Sequence, residues 1–144
     1  MSNKVINTVS YKQTQKLGEK FAKDILACFK QSQKAIVIGL SGNLGGGKTT
    51  FLQGFARGLG IKEKILSPTF VIMKHFGNFY HFDCYRFDKA EDILELGWEE
   101  IIKNPRNIVA VEWPEKINGV MPNEAILINF EFIDKNKRRI TISG

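Results

Sequence analysis

The sequence predicts an α/β domain: a largely parallel sheet with antiparallel strands at one side and helices on both faces. Three observations carry this. A short apolar run, Ala35-Ile36-Val37-Ile38-Gly39-Leu40, leads into a glycine-rich turn from Ser41 to Gly47. A helical pattern then runs from Lys48 to Leu59 and stops at Gly60, so the three pieces form half of a βαβ unit. A second buried-type run, Ile108-Val109-Ala110-Val111, ends at Glu112-Trp113-Pro114.

The remaining elements follow in chain order. Ser10 with Gln13 resembles a capping box, and Leu17, Phe21, Ile25 and Cys28/Phe29 then recur at helical spacing. Phe70 to His75 and Phe79 to Tyr85 read as strands joined by a tight turn at Gly77-Asn78. Alternation along the second of these strands puts Tyr80, Phe82 and Cys84 on one face and His81, Asp83 and Tyr85 on the other. Asp88 with Glu91 again resembles a capping box, opening a helix that carries Ile93, Leu94, Trp98, Ile101 and Ile102. Two further strands, near Ala125–Ile133 and Arg138–Ile142, flank a polar turn at Asp134–Lys137. No repeat, low-complexity tract or linker divides the chain, so residues 1–144 are expected to form a single domain.

Composition excludes several classes. With 43% apolar and 25% charged residues, the chain can build one core without disulfides or structural metals. No apolar run is long enough to cross a bilayer, and the first residues lack the apolar centre of a signal peptide, so a cytoplasmic protein away from membranes is expected. Cys28 and Cys84 have neither CxxC nor zinc-finger spacing and read as small buried hydrophobes. The net charge of +6 permits an RNA partner without demonstrating one, because the lysines are scattered. Their densest cluster, Lys135, Lys137, Arg138 and Arg139, suits a solvated hairpin equally well.

The strongest chemical signal is Gly42-Asn43-Leu44-Gly45-Gly46-Gly47-Lys48-Thr49, which satisfies G-x-x-x-x-G-K-[ST] in full. Glycines allow successive backbone N–H groups to converge on phosphate oxygens, and the helix that follows adds its positive N-terminal end. Lys48 supplies a mobile charge for the β- and γ-phosphates, and Thr49 offers a hydroxyl to Mg²⁺. The motif sits after a buried strand and before a helix, as a P-loop must, and makes the expected fold a P-loop NTPase-like one. A second metal ligand should be an acid at the end of a neighbouring strand. Both Glu112 and Asp83 qualify, and periodicity does not choose between them. His81 reads as a half-buried hydrogen-bonding histidine, since no third ligand accompanies His81 and Asp83 at metal spacing. Trp113 could stack on a base or belong to the core, and Ser67-Pro68-Thr69 is either an ordinary loop or a switch that senses the γ-phosphate.

Five blocks in order, Gly42–Thr50, Ser67–Phe70, His81–Arg86, Glu95–Glu99 and Val111–Glu115, resemble the TsaE (YjeE) family. These are small bacterial P-loop proteins of tRNA threonylcarbamoyladenosine biosynthesis, and the resemblance spans nearly the whole chain. It implies a slow ATPase that works with TsaB and TsaD, resetting or regulating that pair. TsaD transfers threonylcarbamoyl to N6 of adenosine 37 in tRNAs reading ANN codons, so contact with tRNA would be indirect, through the complex. It further implies that Gly42 through Thr50 (Asn43, Leu44, Gly45, Gly46, Gly47, Lys48 and Thr49 included) cradle ATP, with Thr49 and Glu112 on Mg²⁺. Asp83 matches an aspartate expected near the metal or the attacking water, Thr69 a switch threonine, and Trp113 a tryptophan beside the nucleotide. Thr14 and one of Arg138 and Arg139 are expected to reach the base or sugar, and Lys48, Asp83 and Glu112 form the expected catalytic set. Asn43 departs from the family, which commonly has aspartate there; retained ATP binding is expected.

Two other classes fit less well. A P-loop small-molecule kinase would carry a lid with several arginines, and the chain after Thr49 is short for one. A non-catalytic RNA-binding module would need an aromatic and basic RNA motif that is not evident. No arginine finger is obvious beside the motifs; Arg86 is the nearest candidate and could equally pair with an acid, so an activating group from a partner is expected.

Overall fold

In a computed structural model, residues 3–28, 33–42, 47–63 and 72–144 are described. Among the described residues, seven strands form one sheet: β1 (Lys4–Thr8), β2 (Ile36–Gly42), β3 (Met73–Phe76), β4 (Phe79–Asp83), β5 (Ile108–Glu112), β6 (Ile126–Phe132) and β7 (Arg138–Ser143). Their order is β1-β7-β6-β2-β5-β4-β3. The central four, β6, β2, β5 and β4, are mutually parallel, as the two apolar runs predict. Antiparallel strands flank them at both edges, β7 and β1 on one and β3 on the other, where the sequence reading placed them at one side. The second edge arises because the Gly77–Asn78 turn folds β3 back along β4.

Both faces of the central strands are buried. On one, α1 (Tyr11–Cys28) and α2 (Lys48–Gly58) pack Ile25, Phe51, Leu52 and Phe55 against Ile38, Leu40, Ala110 and Ile128. On the other, Ile93, Trp98 and Ile117 cover Val37, Phe82, Val109 and Val111. The helix expected from Asp88 divides at Gly97, whose φ of 82° is left-handed: a 3₁₀ segment over Ala90–Leu96 precedes α3 (Trp98–Lys103). The cap there also moves by one residue, with Asp92 Oδ2 accepting from the Lys89 N–H. At the start of α1 the expected cap forms. Ser10 Oγ accepts from the Gln13 N–H, and Gln13 Oε1 accepts from the Val9 N–H.

β1 has no counterpart in the sequence reading. Its five residues are mostly exposed, and pairing with β7, not burial, makes them a strand. Cys84 is fully buried, and burial with Asp83 and Glu112 nearby pushes its thiol up to about 12, which leaves it an inert hydrophobe. The side chain of Cys28 lies outside the described residues. Among the described residues, no helix is long and apolar enough to cross a membrane.

Candidate nucleotide and metal site

Parallel strands bring their carboxyl ends to one edge of the sheet, where α/β domains bind ligands. Here the register sets Leu40 of β2 beside Glu112 of β5, and Glu112 beside Asp83 of β4. Two steps back, Ile38, Ala110 and His81 are aligned in the same way, and Ile38, Leu40 and Ala110 all face α1 and α2. His81, Asp83 and Glu112 therefore point to the face on which α2 begins. Both acids that the sequence left open thus stand side by side, and their charges act on Lys48.

The P-loop is described at its two ends. Gly42 closes β2 with φ 129°, and Gly47 caps α2 with φ 102°. A side chain at Gly47 would be strained by that backbone alone. Gly47 also delivers its carbonyl to the Phe51 N–H at 2.9 Å, which starts α2. Asn43, Leu44, Gly45, Gly46 and Thr69 lie outside the described residues.

Lys48 is buried, and its Nζ donates to the Gly42 carbonyl at 2.8 Å. The same ammonium lies 4.2 Å from the centroid of the Trp113 ring. Burial pulls the Lys48 pKa below its ordinary value, opposed by the fields of Glu112, Glu115 and Asp83. Asp83 moves the other way. Burial raises its pKa and Glu112 adds to this, while a hydrogen bond from the Tyr85 N–H, His81 and Lys48 oppose the shift. Glu112, itself buried, places Oε2 2.7 Å from His81 Nε2. Tyr85 was not singled out by sequence. Its N–H holds Asp83 and its ring packs 5.0 Å from that of Trp113. The alternation that grouped His81, Asp83 and Tyr85 was the available signal.

Beside the start of α2 lies a cleft of about 180 Å³, lined by Ser10, Thr14, Gly47, Thr50, Lys135 and Arg138 among others. Arg138 is in the cleft, with Nη1 donating to the carbonyls of Asp134 at 2.7 Å and Lys137 at 3.0 Å. Its Nε is buried and has no partner among the described residues. Arg139 points elsewhere, toward Glu131 at 3.6 Å. Thr14 is buried, and its hydroxyl is engaged with the Thr8 hydroxyl at 2.8 Å and the Ser10 carbonyl at 3.3 Å. It borders the cleft through its methyl group, 3.6 Å from where a Cβ on Gly47 would sit.

The donor set suits Mg²⁺ held jointly with phosphates. Among the described residues no three His, Cys, Asp or Glu side chains form a protein-only cage. A half-buried Thr49 and strand-end carboxylates are what an ion that keeps waters and phosphate oxygens requires.

A family model described as "Threonylcarbamoyl adenosine biosynthesis protein TsaE" matches residues 8–140. Among curated relatives, the protein of that name from Haemophilus influenzae is 34% identical over 83% of this chain and 76% of its own. The Bacillus subtilis protein of that name is 39% identical over 75% of this chain and 69% of its own. The crystal structure of Bacillus subtilis YdiB superposes with a TM-score of 0.78 at 29% identity, covering 98% of this chain and 84% of that one. On the extent of these matches, the chain belongs to the TsaE family of threonylcarbamoyl adenosine biosynthesis proteins.

Proposed function

We propose that this chain binds ATP with Mg²⁺ at the Gly42–Thr50 loop and hydrolyses it slowly. On this reading it is a subunit that resets or regulates a TsaB–TsaD-like pair, which itself carries out threonylcarbamoylation at N6 of adenosine 37 in tRNA. The single observation that carries the reading is the pairing of Asp83 and Glu112 at the carboxyl ends of β4 and β5, with Lys48 at the start of α2 within reach of their fields. Curated relatives named for tRNA threonylcarbamoyladenosine biosynthesis support the pathway.

The chemistry is positioning and charge stabilisation around in-line attack by water. Lys48 would exchange the Gly42 carbonyl for phosphate oxygens, a short movement because Nζ already sits at the loop's entrance. Mg²⁺, when bound, would neutralise charge developing on the phosphates. Thr49 and Glu112 would hold it. Asp83 is suited to orienting the attacking water and accepting its proton, since a carboxylate with a raised pKa is a stronger base than an ordinary one. Gly47, Thr50, Thr14 and Arg138 would border the rest of the nucleotide.

The test is ATP turnover with Mg²⁺, alone and with the TsaB–TsaD pair, for wild type, Lys48→Ala and Glu112→Ala. Turnover that rises with the pair and disappears in both variants supports the reading. Equal turnover with and without the pair overturns the partner-activated part of it.

A further inference from the structure

We propose that His81 is a positioning residue for Glu112: its imidazole holds one carboxylate oxygen so that the other is presented to a divalent cation. The inference rests on the nucleotide and Mg²⁺ reading above and assigns a role to a side chain that reading does not use.

His81 Nε2 and Glu112 Oε2 lie 2.7 Å apart, and the two residues are only 5% and 6% exposed. His81 stands opposite Ala110, two positions before the Asp83–Glu112 pair. Its ring therefore reaches diagonally from the middle of β4 to the end of β5. Toward an ionised carboxylate, which only accepts, Nε2 acts as the donor in this contact.

A glutamate has three side-chain torsions, and Mg²⁺ tolerates little departure from octahedral geometry. Something must therefore hold the carboxylate before the cation arrives. Lys48, whose charge Glu112 influences, does not do so. Its ammonium is engaged by the Gly42 carbonyl and the Trp113 ring, and the side-chain hydrogen-bond partner of Glu112 among the described residues is His81. With Oε2 engaged by the imidazole, Oε1 is the oxygen left for the cation. Groups that hold a metal ligand in this way commonly change metal affinity 10- to 100-fold when removed.

The probe is Mn²⁺, its free concentration read by electron paramagnetic resonance while it is titrated into the whole chain saturated with ADP. His81→Leu removes the donor and keeps bulk, whereas His81→Gln restores an N–H. We expect Mn²⁺ affinity to fall about 10- to 100-fold in His81→Leu and to recover most of the way in His81→Gln. Metal-free ADP affinity should stay within about 2-fold in both, which a general loss of structure would not allow. Should His81→Leu not fold, His81→Asn, whose amide is too short to reach, takes its place beside His81→Gln. Unchanged Mn²⁺ affinity in folded variants overturns the role of His81 alone. Failure of the wild-type chain to bind Mn²⁺ with ADP overturns the metal reading and the His81 role with it.

Discussion

The Lys48 ammonium rests on the face of Trp113, 4.2 Å from the ring centroid, in a protein where Trp113 is the one non-glycine residue of positive φ among those described. Its φ of 61° is a conformation that bulky residues seldom adopt. The backbone there is held by the Trp113 N–H donating to the Leu40 carbonyl at 3.2 Å, and the ring by Tyr85. Strain maintained at such a point fits a ring that must stand beside the loop. Trp113→Phe keeps a weaker aromatic face, and Trp113→Ala keeps none. The expected order of ATP affinity is wild type, then Phe, then Ala, with a total loss of about 10-fold, corresponding to about 1.4 kcal/mol. Titration with a fluorescent ATP analogue measures it, and equal affinities would remove the ring from the site.

Burial makes the charge on Lys48 costly to the fold. Its folded-state pKa lies below the ordinary 10.5, so the unfolded chain holds that proton more tightly than the native one. This contribution to stability is present above 10.5 and declines as pH falls through the folded-state value. Lys48→Met, similar in length and uncharged, should therefore abolish ATP turnover without lowering the melting temperature of the nucleotide-free protein at pH 7. Its advantage over wild type should shrink as pH approaches 10.5. A variant that loses both turnover and stability would contradict this account of the lysine.

For Asp83 the sign runs the other way. Its pKa is raised above 3.8, so the native state holds the proton more tightly than the unfolded chain. The resulting stability is complete below pH 3.8 and is lost as pH rises through the folded-state value. Asp83→Asn retains an acceptor for the Tyr85 N–H and removes the charge beside Glu112. At pH 7 it should melt higher by about 1–3 °C, with the difference vanishing below pH 3.8. Turnover should fall about 100-fold or more as the proton acceptor is lost. Thermal melts across pH and a steady-state assay check the two halves separately.

Arg138 and Arg139 are adjacent in sequence and opposite in orientation. Arg138 lines the cleft beside Gly47, its guanidinium tied to hairpin carbonyls and stacked 4.7 Å from the Phe132 ring centroid. Arg139 faces Glu131 with both partners about half exposed, a pair worth little in water. Arg138→Ala should weaken ATP binding by about 10-fold, whereas Arg139→Ala should leave it within about 2-fold and change the melting temperature little. Isothermal titration of both variants discriminates, and a reversed ranking would mean that the nucleotide extends away from this cleft.

The parts of the molecule that could be read from sequence are those fixed locally. The P-loop motif needs only its own spacing, and the two apolar runs of β2 and β5 declare burial on both faces. Asp83 and Glu112 were each recognisable as strand-end acids, but their adjacency depends on the order β2-β5-β4, which no local pattern encodes. His81 was legible as a hydrogen-bonding residue but its partner, thirty-one positions away, was not. β1 escaped because Lys4 to Thr8 carry little apolar signal and become a strand by pairing with the other end of the chain. That same closure pairs Thr8 with Arg138 and gives the Thr14 hydroxyl its partner, so two residues lining the cleft are held by an element the sequence hid.

α1 and α2 approach closely enough that no Cβ fits between them at Gly54. One built there would run into the Gln15 carbonyl oxygen and lie 2.8 Å from Gln15 Cα, both backbone atoms of the facing helix. Gly18 meets α2 in the same way, against the Phe51 carbonyl and the Phe55 nitrogen. Two effects compete in Gly54→Ala. Alanine gains about 1 kcal/mol of helix propensity, but separating two packed helices typically costs about 1–3 kcal/mol. Because the obstacle is backbone, which cannot rotate away as a side chain can, the cost should win and the variant should melt several degrees lower. The displacement also has a functional direction. α2 begins at Lys48 and α1 carries Thr14, so pushing the helices apart widens the cleft beside Gly47. ATP affinity should therefore fall in the folded variant at a temperature well below its melting point. A Gly54→Ala protein with unchanged or higher stability would show that the helices can part without loss, and that their contact does not set the cleft.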